Sequence, residues 1–314
     1  MNYKKKVVAF VDLLGFSEAS KIPENQESVE RVLFNNNDLV KLLMDLQTIP
    51  SEPVITANLK LTKEDLTEEK LNKYKEYGLI VTFNEDTFNV NLSYNKKLMS
   101  TAAKTEVRKF KQMRSNEVKI TTFSDSIFLS YPEELLSDLL KDLVKLCKEL
   151  ANIGFFLRGG VSYGDISDNT FFYGPALIAA HDLECKDAVY PRIILDDTII
   201  SNNENSLIKP NSLDAEKLVN VQKLITKDLD DRYFIDFLNF KETDILSLNR
   251  NTKATESILE NISNTIKNNL KKYKYDPSVL LKYLWLSLYL NRYIDNNVND
   301  RNVNQKIDLN LLYS

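Results

Sequence analysis

Histidine is almost absent from this 314-residue chain, with His181 its single example. One imidazole excludes chemistry built on several, such as the usual zinc hydrolase sites. A Ser-His-Asp triad would have to use His181, and no G-x-S-x-G nucleophile elbow occurs. Cysteine is nearly as scarce: Cys147 and Cys185 are too few for a disulfide framework, so a reducing, cytoplasmic compartment is expected. No apolar run reaches the roughly 18 residues of a membrane span. The start, MNYKKKVVAFVDLLGF, has the lysine-then-apolar order of a signal peptide. Asp12 interrupts it and no small-residue cleavage site follows, so it reads as a first β-strand. Excess positive charge is missing too, and a net charge of −4 offers no global attraction to nucleic acid or to anionic membranes. Carboxylates with bound metal are the tools left to an enzyme.

Glycine is also sparse, with seven in the chain. Five of these (Gly154, Gly159, Gly160, Gly164, Gly174) fall within one 21-residue window, and Gly15 follows Asp12 closely. Such clustering marks turns, caps or close backbone approach to a ligand. Gly154 is read as a helix stop.

The remaining pattern predicts an α+β fold. Residues 5–11 form a buried, β-branched strand, and Leu13 to Phe16 turn the chain. A helical stretch ending near Thr48 follows. Residues 50–117 are polar and rich in Lys and Asn, and read as an insertion containing a strand at TFNVNLSY and an exposed helix at EDLTEEKLNKYKEY. VKITTFSDSIFLSY reads as two strands joined at Ser124-Asp125. EELLSDLLKDLVKLCKELANIG carries leucines at helical spacing. A strand at FFLRGGVSYGDI, a helix begun by Pro175 and a strand at PRIILDD complete a mixed sheet covered by helices. Residues 1–200 are thus expected as one domain. Residues 201–314 are expected as a mostly helical extension packed on it, with a strand at DRYFIDFL and helices near 254–272 and 278–294.

Two aspartates stand out. Asp12 ends a buried strand, and Asp125 sits at the tip of the expected hairpin. If those strands are neighbours, both carboxylates project from one sheet edge. Either residue alone would serve as an ordinary turn or capping Asp. As a pair they suit Mg²⁺ or Mn²⁺, and two such ions can activate an attacking hydroxyl and neutralise phosphate.

The flanking residues resemble class III nucleotide cyclases. FVDLLGFS is similar to the first metal motif of that family, and TTFSDSIFLSY to the second. RGGVSYGDI resembles the strand that follows, and FYGPALIAAHDLE the next helix. Four motifs in order span residues 5–185. The departures are specific. The base-reading Lys common in adenylate cyclases is here Thr121, and the second base-reading position is Phe171. The transition-state Asn and Arg positions hold Ile178 and Asp182. With metal residues kept and purine readers gone, the chain resembles the pyrimidine cyclases of the bacterial antiphage systems called Pycsar.

That resemblance implies conversion of UTP to cyclic UMP and pyrophosphate, with cyclic CMP from CTP as the nearest alternative. It implies two Mn²⁺ or Mg²⁺ ions on Asp12, Asp125 and the Leu13 carbonyl. Amides of Leu14, Gly15 and Phe16 would meet the triphosphate, and Thr121 the base. Arg158 and Arg192 are the candidates to replace the missing Arg. Lys4, even-spaced from Asp12 on one strand, is a candidate for nucleotide contact or a solvated strand end. His181 reads as structural. A head-to-tail homodimer and a separately encoded cyclic-nucleotide effector are implied partners. A catalytically silent, nucleotide-binding module of the same fold, or another two-metal enzyme, is the rival reading.

Overall fold

In the computed structural model the strands are β1 (Lys4–Leu14), β2 (Asn58–Leu59), β3 (Leu79–Asn84), β4 (Asn89–Tyr94), β5 (Lys119–Phe123), β6 (Ser126–Pro132), β7 (Phe156–Ile166), β8 (Ile193–Leu195), β9 (Ile225–Lys227) and β10 (Tyr233–Ile235). The main helices are α1 (Leu136–Asn152), α2 (Pro175–Asp182), α3 (Thr252–Lys272) and α4 (Pro277–Asn297). The structure describes residues 3–14, 112–113, 116–168, 171–200, 223–239, 252–297 and 305–312, and strands β2, β3 and β4. The helical stretch expected before Thr48, the EDLTEEKLNKYKEY helix, Gly15 and Phe16 lie outside the described residues.

The chain divides into two compact units. One comprises Met1–Met44, Val118–Thr243 and Asn251–Ser314. The other comprises Asp45–Glu117 with Asp244–Arg250, and contains a three-stranded antiparallel sheet in the order β2-β4-β3.

The first unit is α+β, built on a seven-stranded mixed sheet ordered β5-β6-β1-β7-β8-β10-β9. β1 is central and antiparallel to both β6 and β7, while β7 and β8 run parallel. The order β5-β6-β1-β7, with α1 connecting β6 to β7, is the split βαβ arrangement. It places the end of β1 beside the β5–β6 hairpin tip, and that juxtaposition positions the site.

Side-chain alternation along β1 separates two faces. Val7, Ala9, Val11 and Leu13 are buried on one. α1 covers that face, and the Tyr131 hydroxyl, opposite Val7 in the register, donates to Asp142 of the helix at 2.7 Å. Leu139, Leu140, Leu143 and Leu146 are completely buried. Each contributes about 1.5–3 kcal/mol by leaving water. The helix ends as its sequence indicates: Gly154, at φ 94, donates to the Ala151 carbonyl.

The other face carries Lys6, Val8, Phe10 and Asp12, and is covered in part by α2. Val8, Phe128, Ile166, Ala176 and Ala180 form its core. Lys6 is buried there with its ammonium 2.7 Å from Asp168, which also accepts from Ser130. α2 approaches β7 so closely that only glycine fits at 160: an added Cβ would lie 2.4 Å from the Ala180 carbonyl oxygen and from Leu183 Cβ. Among the described residues no helix is long and apolar enough to cross a membrane.

Candidate active site

Backbone pairing brings the two aspartates together. Asp12 is paired with Ser126, and the hairpin turns through Ser124 and Asp125. Ser124 takes φ 55, the sign required at the first central residue of a type II′ turn. The Leu13 N–H donates to the Asp125 carbonyl at 3.0 Å, fastening the hairpin tip to the end of β1.

The electrostatics follow from that adjacency. Burial, and next the charge of Asp125, push the Asp12 carboxyl up to about 6, while Arg158 opposes the rise. Arg158 faces Asp12 across the β1–β7 ladder. Its Nε donates to Asp12 Oδ2 at 3.3 Å, and its Nη2 lies 2.7 Å from Glu184 Oε1. Glu184 sits in a π-helical turn, Leu183–Asp187, that continues α2. Its placement beside Arg158 depends on the close seat that Gly160 allows to Leu183. From α4, Lys282 enters the same neighbourhood. Burial and then the Arg158 charge hold its ammonium below the ordinary lysine range, against the pull of Asp12 and Glu184.

The edge therefore carries two close carboxylates, one of which resists ionising beside the other. A divalent cation relieves that repulsion, and hard oxygen donors fit Mg²⁺ or Mn²⁺. The residues present fit the metal pair expected from the sequence.

The other expected site residues are placed unequally. Leu13 is buried and Leu14 half-buried at the end of β1, next to the pair. Thr121 is half-buried on β5, opposite Phe128, on the sheet face that carries Asp12. Lys4 corrects the expectation of nucleotide contact. It is exposed at the opposite end of β1, eight residues or about 26 Å from Asp12 at strand rise. Even spacing gave it the right face and the wrong end.

Arg192 also differs from its expected role. It is 1% exposed and paired with Asp228 and Asp230, the latter through Nη1 at 3.0 Å. Tyr190 and Trp285 flank its guanidinium, with ring centroids 5.3 and 6.0 Å away. Trp285 Nε1 donates to the same Asp228 at 2.8 Å. Only its backbone reaches β7, where the Arg192 carbonyl accepts from Gly159. Arg192 is thus built into the junction between sheet and α4, with no exposed guanidinium to meet a substrate.

Glu184 and Lys282 were not singled out by sequence. Glu184 was visible as the final residue of the DLE element, without an assigned role. Lys282 carries no local signal, because only the fold brings a residue 270 positions away to Asp12. No protein-family model matches the chain, and no curated protein matches it.

Proposed function

We propose that the protein is a metal-dependent pyrimidine nucleotide cyclase that converts UTP to 3′,5′-cyclic UMP and pyrophosphate. The observation that carries this reading is the Asp12–Asp125 pair at one edge of a split βαβ sheet. In the reaction the ribose 3′-oxygen bonds to the α-phosphorus, and the α–β bridging oxygen leaves with pyrophosphate. Asp12 and Asp125 would hold two Mg²⁺ or Mn²⁺ ions, which would supply hydroxyl activation and charge neutralisation. Asp12 must be ionised to bind metal. Arg158 is the cation placed to meet charge developing on the phosphate, which requires it to exchange its carboxylate partners for substrate oxygens. Lys282 adds a second positive charge on the same side.

The base readers follow the sequence argument. Thr121 offers one donor or acceptor, and Phe171, 74% exposed, offers a ring to stack on or wall off a base. Phe123, at 85% exposure, lies on the Asp12 face, and Ile178 is 63% exposed on α2. A homodimer in which the partner completes the nucleotide site is the assembly that goes with this reading. A cytoplasmic enzyme signalling to a separate cyclic-nucleotide-binding effector in antiphage defence is the corresponding biology.

The test incubates purified protein with each of the four nucleoside triphosphates and Mn²⁺, and identifies products by mass spectrometry. Cyclic UMP is expected, scarcely inhibited by excess ATP or GTP. Cyclic AMP or cyclic GMP as the main product refutes the pyrimidine assignment. No cyclic product from any substrate leaves the silent nucleotide-binding module as the better reading.

A further inference from the structure

The last turn of α2 and the π-helical turn after it gather three different ligand types that the nucleotide chemistry does not use as ligands. His181, Glu184 and Cys185 each offer one ligand atom, and these atoms lie within 4.8 Å of one another. Cys185 Sγ is 3.4 Å from His181 Nε2 and 3.1 Å from Glu184 Oε2. Ligands on one tetrahedral Zn²⁺ stand roughly 3.4–3.6 Å apart, given the usual Zn–S, Zn–N and Zn–O lengths. The two separations from Cys185 Sγ therefore stand close to the spacing an ion would require, and all three ligand atoms lie within 4.8 Å of one another.

The surroundings favour such a site. Positions 181 and 185 are four apart and share a helix face, where both side chains are exposed and accessible to an ion. The His181 ring is oriented by edge-on packing against Phe10, with centroids 5.1 Å apart. Glu184 is buried and uses its other oxygen on Arg158, the outer-shell partner that steadies a ligating carboxylate. Lys186, the nearest cation along the turn, is paired away with Asp182 at 2.9 Å.

We propose that His181, Glu184 and Cys185 form a binding site for a thiophilic divalent cation of the Zn²⁺ class, with an open fourth position. A soft sulfur and an imidazole select against Mg²⁺, so the site differs in chemistry from the all-oxygen Asp12–Asp125 pair. The two are linked through Glu184 and Arg158, yet the proposal stands whether or not the chain cyclises nucleotides.

The probe is Co²⁺, added to the full-length protein in a phosphine reductant and excess Mg²⁺. One equivalent should produce a thiolate-to-cobalt charge-transfer band in the near ultraviolet together with the intense visible absorption of four-coordinate Co²⁺. Zn²⁺ should erase both stoichiometrically. Cys185→Ser should lose the charge-transfer band, His181→Ala should bind at least about tenfold more weakly, and Asp12→Asn should keep the full spectrum. Absence of the band in the wild-type protein, or its persistence in Cys185→Ser, overturns the proposal. Thermal melts of the Cys185→Ser and His181→Ala proteins, both altered at exposed positions, establish that a lost signal is not lost fold.

Discussion

Among the described residues two arginines each meet two carboxylates, and their settings are opposite. Arg192, with Asp228 and Asp230, is sealed between aromatic rings at 1% exposure. Arg158, with Asp12 and Glu184, keeps 28% of its side chain exposed at the end of the sheet. In the sealed cluster Arg192 and Asp228 are both buried while Asp230 is half exposed, and removing Arg192 leaves the desolvated Asp228 behind. In the open cluster Asp12 is pushed toward neutrality by burial and by Asp125. That is a state a metal and an anionic substrate can relieve. The same residue types thus make a structural clamp in one place and, on the proposed reading, a reactive edge in the other.

The largest expected effect is on turnover at the open edge. Asp12→Asn and Asp125→Asn should each reduce cyclic nucleotide formation to background while leaving the circular dichroism spectrum and cooperative melt intact. Wild-type rates from either variant would remove the carboxylate from the site. Next comes the sealed cluster: Arg192→Ala strands buried Asp228 and should cost about 3–5 kcal/mol in urea unfolding. A loss below about 1 kcal/mol would show that the cluster is not the clamp described here.

Arg158→Ala sharpens the contrast. Its pair with Asp12 is partly solvated, but its loss also unpairs Glu184, whose side chain is 5% exposed, so stability should fall by about 1–3 kcal/mol. Turnover should fall on the order of 10²-fold, because a cation facing the developing phosphate charge is lost. An Arg158→Ala protein that loses about 3–5 kcal/mol of stability but keeps wild-type turnover would invert the assignments of the two arginines.

The smallest effect is the pH response of Asp12. Its folded value, about 6, lies above the ordinary 3.8. The ionised form is therefore disfavoured in the fold. The penalty is complete above about pH 6 and vanishes below about pH 4. Without metal, wild-type protein should gain about 1–3 kcal/mol from this group on acidification across that window. Asp12→Asn should be more stable than wild type by a similar amount at pH 8, and the difference should disappear at pH 4. Equal wild-type and variant stabilities at pH 8 would contradict the elevated value.

Much of the fold was legible because its elements announce themselves locally. The 126–132 strand, the leucine-spaced helix, Pro175 at a helix start and Gly154 at a helix end all follow from short-range rules. The Asp12–Asp125 adjacency was legible only conditionally, since it depended on β1 pairing with β6. β3, β9 and the short β2 went unread. The last two are two and three residues long, too short for alternation to register. Lys4 and Arg192 show where local reasoning stops. Alternation assigns a face but not an end, and a strand-flanking arginine cannot be placed in or out of solvent until Asp228, Asp230 and Trp285 are brought around it. Lys282 and Glu184 joined the edge for the same reason: their partners are remote in sequence.

The most direct test of the central claim is Mn²⁺ binding followed by electron paramagnetic resonance in the presence of a non-cyclising UTP analogue. Wild-type protein should bind two ions per site. Binding should weaken strongly in Asp12→Asn and in Asp125→Asn, decline below about pH 6, and be unchanged in Cys185→Ser. Undiminished Mn²⁺ binding in both aspartate variants would contradict the claim that this sheet edge is a metal-dependent active site.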